Sequence, residues 1–212
     1  MIAYPTGTWE TDTKIPGNFV RDFNLYSEQI LNAENSVRET LVQRLLVIWL
    51  AAKETSLLPG DFVECGVASG QSAWFMSRHC NTNIHLFDSW QGVTDFTEFD
   101  NNFYKENEFH STLEFAQNVM KDIPNVFTHV GEVPFEFDQV SAISLLHIDL
   151  NNYNPTKIAL EQLWSKVVDG GIVVVDFHDS ISTGAEKATR DFFNMLGKEL
   201  TMFPTGKAVV IK

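Results

Sequence analysis

A chain of 212 residues, 44% hydrophobic and 20% charged, is the size of one domain with one sizeable core, which excludes wholesale disorder and collagen-like or coiled-coil architectures. Lysine plus arginine number 15 against 28 aspartate plus glutamate, a formal charge of −13, which excludes a phosphate-backbone binder and leaves small molecules rather than nucleic acid as partners. Two cysteines, Cys65 and Cys80, are too few for a disulfide framework. The longest apolar stretch, Leu45 to Ala52, is too short to span a bilayer, and no signal peptide is visible, so the cytoplasm is expected and a membrane is not.

Residues 1–23, broken by Pro5, Gly7, Pro16 and Gly17, read as an N-terminal arm. From Asn24 to Ala52 the pattern is helical, with Leu41, Leu45, Ile48 and Trp49 at three- and four-residue spacing, until Pro59-Gly60 breaks it. Asp61 to Cys65 is a strand, Ser72 to His79 a helix and Ile84 to Asp88 a second strand. Residues 89–110 are aromatic and acidic without a clean period and read as a lid. A helix from Ser111 to Asp122, strands at 125–130 and 144–149, and a helix from Pro155 to about Val167 come next. Gly170-Gly171 stops that helix before a strand from Gly171 to Phe177. A helix from Ala185 to Met195 and a hairpin around a Pro-Thr-Gly turn complete the chain. This order predicts an α/β fold: a doubly wound, mostly parallel sheet in one domain, with an N-terminal helical extension and a C-terminal β-hairpin.

Four segments carry chemistry. In ECGVASGQS a strand delivers Glu64, the chain turns at Gly66, and Gly70 opens a helix; glycines here let backbone amides approach a ligand. The G-x-G-x-x-G of dinucleotide binders is incomplete, since Ala68 holds the middle position. Glu64 suits a cationic ammonium, which a pyrophosphate lacks. Asp88, ending the second strand about 20 residues beyond the glycine loop, is placed to accept two ribose hydroxyls; its other reading is a cap. Asp149 ends the fourth strand, and Asp176, His178 and Asp179 lie at the end of the fifth. Two carboxylates on neighbouring strands suit a hard divalent cation; alternatively, each caps the next helix or loop. His178 reads as a base, a metal ligand or a plain polar residue. His147 reads as a hydrogen-bonded core histidine. The aromatics Phe96, Phe99, Phe103, Tyr104 and Phe109 either close over a ligand or pack on the sheet edge.

GDFVECGVASGQS, HLFDSWQGV, LLHIDLNNY and GGIVVVDFHD, in that order, resemble the macrocin O-methyltransferase family over roughly Leu41 to Phe193. The resemblance implies a class I methyltransferase fold with a seven-stranded sheet. It also implies S-adenosylmethionine as cofactor, Mg²⁺ or another divalent cation as the ion, and a sugar hydroxyl of a natural product as acceptor. By that resemblance Glu64, Gly66, Ser69, Gly70, Gln71 and Ser72 hold the methionine moiety and Asp88 the ribose. Ser89, Gly131 and Glu132 lie near the adenine, and Asp149 and Asp176 are the metal ligands. Two positions depart from the family. Asn151 and Phe177 stand where it usually carries second acids, and an amide cannot accept a proton as a base does. His178 is therefore expected to serve with Asp149 in catalysis, as base or as ligand. Two other readings stay open, a nicotinamide-dependent oxidoreductase and a non-catalytic adenosyl-binding module. Homo-oligomerisation is also open.

Overall fold

The computed structural model describes residues 15–29, 39–101, 104–108, 110–177 and 183–212. The expected catalytic residue His178, its neighbour Asp179, the aromatics Phe103 and Phe109, and residues 1–14 of the arm lie outside the described residues.

Seven strands form one sheet in the order β3-β2-β1-β4-β5-β7-β6. They are β1 (Asp61–Cys65), β2 (Ile84–Asp88), β3 (Val126–Val130), β4 (Ile143–Ile148), β5 (Val167–Asp176), β6 (Thr201–Phe203) and β7 (Lys207–Ile211). The first five are parallel, and β7 runs antiparallel to both β5 and β6. The helices are α1 (Gly17–Gln29), α2 (Glu39–Thr55), α3 (Gln71–Ser77), α4 (Leu113–Met120), α5 (Tyr153–Leu163) and α6 (Thr183–Met195). The expected seven-stranded doubly wound architecture is the one observed.

The central strands are apolar throughout because both sheet faces are covered. Successive residues serve opposite cores. Phe62, Ile84, Leu86, Leu145 and Val174 join the core under α1 to α4. Val63, Phe87, Leu146, Val173 and Val175 join the one under α5 and α6. Such a pattern brings the carboxyl ends of β1, β2, β4 and β5 to one edge.

The structure corrects the sequence reading in two places. Helix α1 begins at Gly17, inside the expected arm. Phe19, Phe23 and Tyr26, spaced four and three apart, are buried against Phe75, and Trp49 Nε1 donates to Asp22 Oδ2 at 2.9 Å. The aromatic stripe at helical spacing outweighs the Pro and Gly that punctuate the segment. Further on, α5 ends at Leu163 and a 3₁₀ turn over Trp164–Lys166 leads directly into β5 at Val167. Val167 and Val168 favour extended backbone, and Gly170, at φ +79°, lies inside the strand instead of stopping a helix.

The lid segment is anchored to the helices beside it. Asp100 Oδ1 accepts from the Tyr153 N–H at 2.9 Å, and Asn152 Nδ2 donates to the Thr94 carbonyl at 2.7 Å. The Phe99 ring packs on Tyr153, with centroids 4.5 Å apart. Phe99 thus packs on the start of α5 and not on the sheet edge that the sequence reading offered. Among the described residues no helix is long and apolar enough to cross a membrane.

Candidate functional site

A crevice of about 310 Å³ opens at the carboxyl ends of β1, β2, β4 and β5. This is where ligands bind in open α/β sheets. Its size is at the lower end of small-molecule sites. Most of the residues expected there line it. Gly66 and Ser69 come from the loop after β1, Gln71 and Ser72 from the start of α3, Asp88 and Ser89 from the end of β2, and Gly131 and Glu132 from beyond β3. Asp149 and Asp176 form the wall at β4 and β5. Gly70 and Glu64 are not on the wall.

The loop owes its path to Gly66. At φ +88°, a Cβ there would lie 2.1 Å from the Asp149 carbonyl oxygen, so only glycine lets the ends of β1 and β4 approach this closely. Asp88 fixes the next stretch. Its Oδ2 accepts from the Val67 and Ala68 N–H groups at 2.6 and 2.8 Å, and its Oδ1 from the Trp90 N–H at 2.6 Å. A carboxylate offers about four acceptor positions. Three are taken by backbone, and Asp88 is also one of the residues that line the crevice. Asp88 therefore ties the loop after β1 to the turn after β2 while lining the crevice.

Glu64 lies beneath the crevice floor, fully buried. Its Oε1 accepts from the Ser72 hydroxyl and meets His147 Nδ1 at 2.7 Å. Among the described residues, Glu64 Oε2 and His147 Nε2 are buried without a partner. His147 is the core histidine the sequence suggested, and it also reaches the crevice wall, a placement that strand position alone did not reveal.

At the other end stand Asp149 and Asp176. Burial, reinforced by the charge of Asp176, pushes the Asp149 carboxyl up to about 6. Asp176 has the opposite fate. Burial would raise it, but the Lys207 ammonium and the Arg44 guanidinium outweigh that and hold it well below the ordinary carboxylate range. Asp176 Oδ2 accepts from Lys207 Nζ and, at 2.7 Å, from Arg44 Nη2. Both cations line the crevice, and neither was singled out in the sequence. Lys207 is the only charged residue in the strand KAVVI, which is a signal once β7 is known to pair with β5. Arg44, within the amphipathic α2, carries none.

Asn151 is on the crevice wall at φ +65°, a left-handed conformation that asparagine tolerates better than most residues. Phe177 is buried in the core under α5 and α6 and presents no oxygen to the site. His147, Asp149 and Asp176 bring one potential ligand atom each within 4.8 Å of one another.

Against known proteins, the family described as "Methyltransferase domain" matches residues 63–180, more than half of the chain. No curated protein sequence matches it. Among solved structures, the O-methyltransferase NovP superposes with a TM-score of 0.70 at 20% identity, over 84% of this chain and 83% of that one. CalS11, a calicheamicin methyltransferase, gives 0.68 at 17% identity over 94% of both chains. An O-methyltransferase from Bacillus cereus, in complex with SAH, gives 0.52 at 12% identity over 96% of this chain and 94% of that one. At these identities the likeness is one of fold.

Proposed function

From the premise that this chain belongs to the methyltransferase-domain family, we propose that it transfers a methyl group from S-adenosylmethionine to an oxygen of a small molecule. The acceptor class is a sugar hydroxyl of a natural product. One observation carries the reading: a single crevice joins the glycine loop, Asp88 and Asp149. The acceptor class is supported by a fold neighbour described as a TDP-rhamnose 3'-O-methyltransferase, and the acidic charge favours a small molecule over a polyanion as partner.

In this reading the loop through Ser72 holds the methionine end. Glu64 acts from below by fixing Ser72 and His147, and its unpartnered Oε2 suits an ammonium. Asp88 gives the ribose one acceptor position, and Ser89, Gly131 and Glu132 flank the adenine. In the transfer, the acceptor oxygen forms a bond to the methyl carbon as the carbon–sulfur bond breaks, and S-adenosylhomocysteine leaves neutral. The sulfonium is already a good leaving group, so the protein's work is alignment and proton removal. Asp149 is the base on the crevice wall, poised near neutrality.

The test is transfer of labelled methyl from S-adenosylmethionine to a panel of nucleotide sugars and glycosides, with products resolved by mass spectrometry. A product heavier by one methylene at a sugar oxygen is expected. Tight S-adenosylhomocysteine binding with no transfer across the panel would favour the non-catalytic adenosyl-binding module instead.

A further inference from the structure

The resemblance implies a divalent ion at Asp149 and Asp176, and the donor set can be tested against one. Mg²⁺ prefers six oxygen ligands. Asp176 is already engaged by two cations through its Oδ2 atom. Lys207 is not a surface side chain that can swing away. Its side chain is 3% exposed, that of Asp176 is 1% exposed, and the two residues are paired in the β5–β7 register. An ion at Asp176 would have to displace a buried ammonium or sit against two positive charges at short range in a poorly solvated pocket. The remaining donors are no better suited. His147 Nδ1 is engaged by Glu64 at 2.7 Å, its unpartnered Nε2 is a nitrogen, which Mg²⁺ seldom takes in place of oxygen, and Phe177 stands buried where the resemblance expects a second acid. With Asp176 held by two cations, the residues present do not fit a hard, oxygen-seeking ion such as Mg²⁺.

We propose that this site works without a bound metal, because Arg44 and Lys207 supply in fixed form the positive charge such an ion would bring. Together they carry the same formal charge as a divalent ion, held on the carboxylate that would have been its ligand. Both line the crevice beside Asp149. Under the methyl-transfer reading, on which this role rests, they stabilise negative charge growing on the acceptor oxygen as its proton leaves. A tethered cation needs no loading step and is indifferent to chelators. It also restricts the acceptor to groups that can approach an ammonium and a guanidinium without a metal to bridge two oxygens.

Mn²⁺ titration, followed by the electron paramagnetic resonance of the free ion, tests this on wild-type protein with and without S-adenosylhomocysteine. The free-ion signal should be undiminished to about millimolar Mn²⁺, and chelator should leave S-adenosylhomocysteine affinity unchanged within about twofold. One Mn²⁺ bound per chain with a dissociation constant below about 100 μM would overturn the proposal. Lys207→Met provides the converse. With the ammonium gone, Mn²⁺ should bind and raise the variant's melting temperature while leaving wild type unmoved. A folded Lys207→Met protein that still ignores Mn²⁺ would contradict the claim that Lys207 holds the ion's place. If that variant does not fold, the wild-type titration decides alone. Failure of S-adenosylhomocysteine to bind would count against the methyl-transfer reading, while the titration of ligand-free protein would still answer the metal question.

Discussion

Asp176 and Lys207 sit opposite each other on β5 and β7 and form an ion pair that is almost wholly buried, with Arg44 reaching the same carboxylate oxygen from α2. The pair ties the last parallel strand to the C-terminal hairpin at the place where the crevice ends.

Removing the carboxylate leaves two cations uncompensated in a poorly solvated place. Asp176→Ala should lose about 3–5 kcal/mol of folding stability, as broken buried pairs do. Urea denaturation measures it. The double variant Asp176→Ala with Lys207→Met should recover part of the loss, because it removes a stranded charge along with the acid that matched it. A single-variant loss below about 1 kcal/mol would show that the pair is solvated after all.

Asp149 and Asp176 should have opposite effects on stability as pH changes. Asp176 is held below its unfolded value, so its contribution is present above about pH 4 and is lost as pH falls below that. Asp149 is raised to about 6, so the folded state binds more protons than the unfolded one between about pH 4 and 6. Its contribution therefore declines as pH rises through that window. Asp149→Asn should accordingly be more stable than wild type at pH 8 and show no such advantage at pH 4. As base, Asp149 must be ionised, so wild-type turnover should rise with pH through about 6, and the same variant should lose roughly 10²–10⁴-fold in turnover with S-adenosylhomocysteine affinity intact. Thermal melts and initial rates across pH check both halves.

Asp88 holds three backbone N–H groups of the loop and its neighbour. Asp88→Ala should therefore weaken methionine as well as adenosine and S-adenosylhomocysteine, since the loop that grips the amino-acid end relaxes with it. Hydrogen bonds to a charged group contribute about 1.5–3 kcal/mol, so about tenfold or more is expected for S-adenosylhomocysteine. Calorimetry with the three ligands separates the roles. A loss confined to adenosine-containing ligands would mean that ribose contact is the whole of its function.

The sheet and the cofactor side of the crevice were legible because local signals agree with the fold. Continuous apolar runs gave β1, β4 and the buried half of β5, and the glycine loop with acids at strand ends located the crevice. The remainder depends on contacts distant in sequence. Helix α1 is marked only by Phe19, Phe23 and Tyr26, whose partners lie on α2 and α3. Arg44 and Lys207 meet Asp176 across separations of 132 and 31 residues; Arg44 has no local signal, and the lone charge in KAVVI becomes one only when β7 is known to pair with β5. The family resemblance implied an ion at that carboxylate, and the two cationic side chains that hold it are visible only in the tertiary packing. For Glu64 the sequence showed an acid delivered by a strand to the glycine loop; its burial and its pairing with His147 come from the β1–β4 register, which only the tertiary fold reveals.

Calorimetric titration of the purified chain with S-adenosylhomocysteine, and separately with NADH, tests the central claim most directly. The account predicts one S-adenosylhomocysteine site per chain, weakened about tenfold by Glu64→Gln, and no heat with NADH. Saturable NADH binding in the absence of any S-adenosylhomocysteine binding would contradict it and assign the crevice to a nicotinamide cofactor.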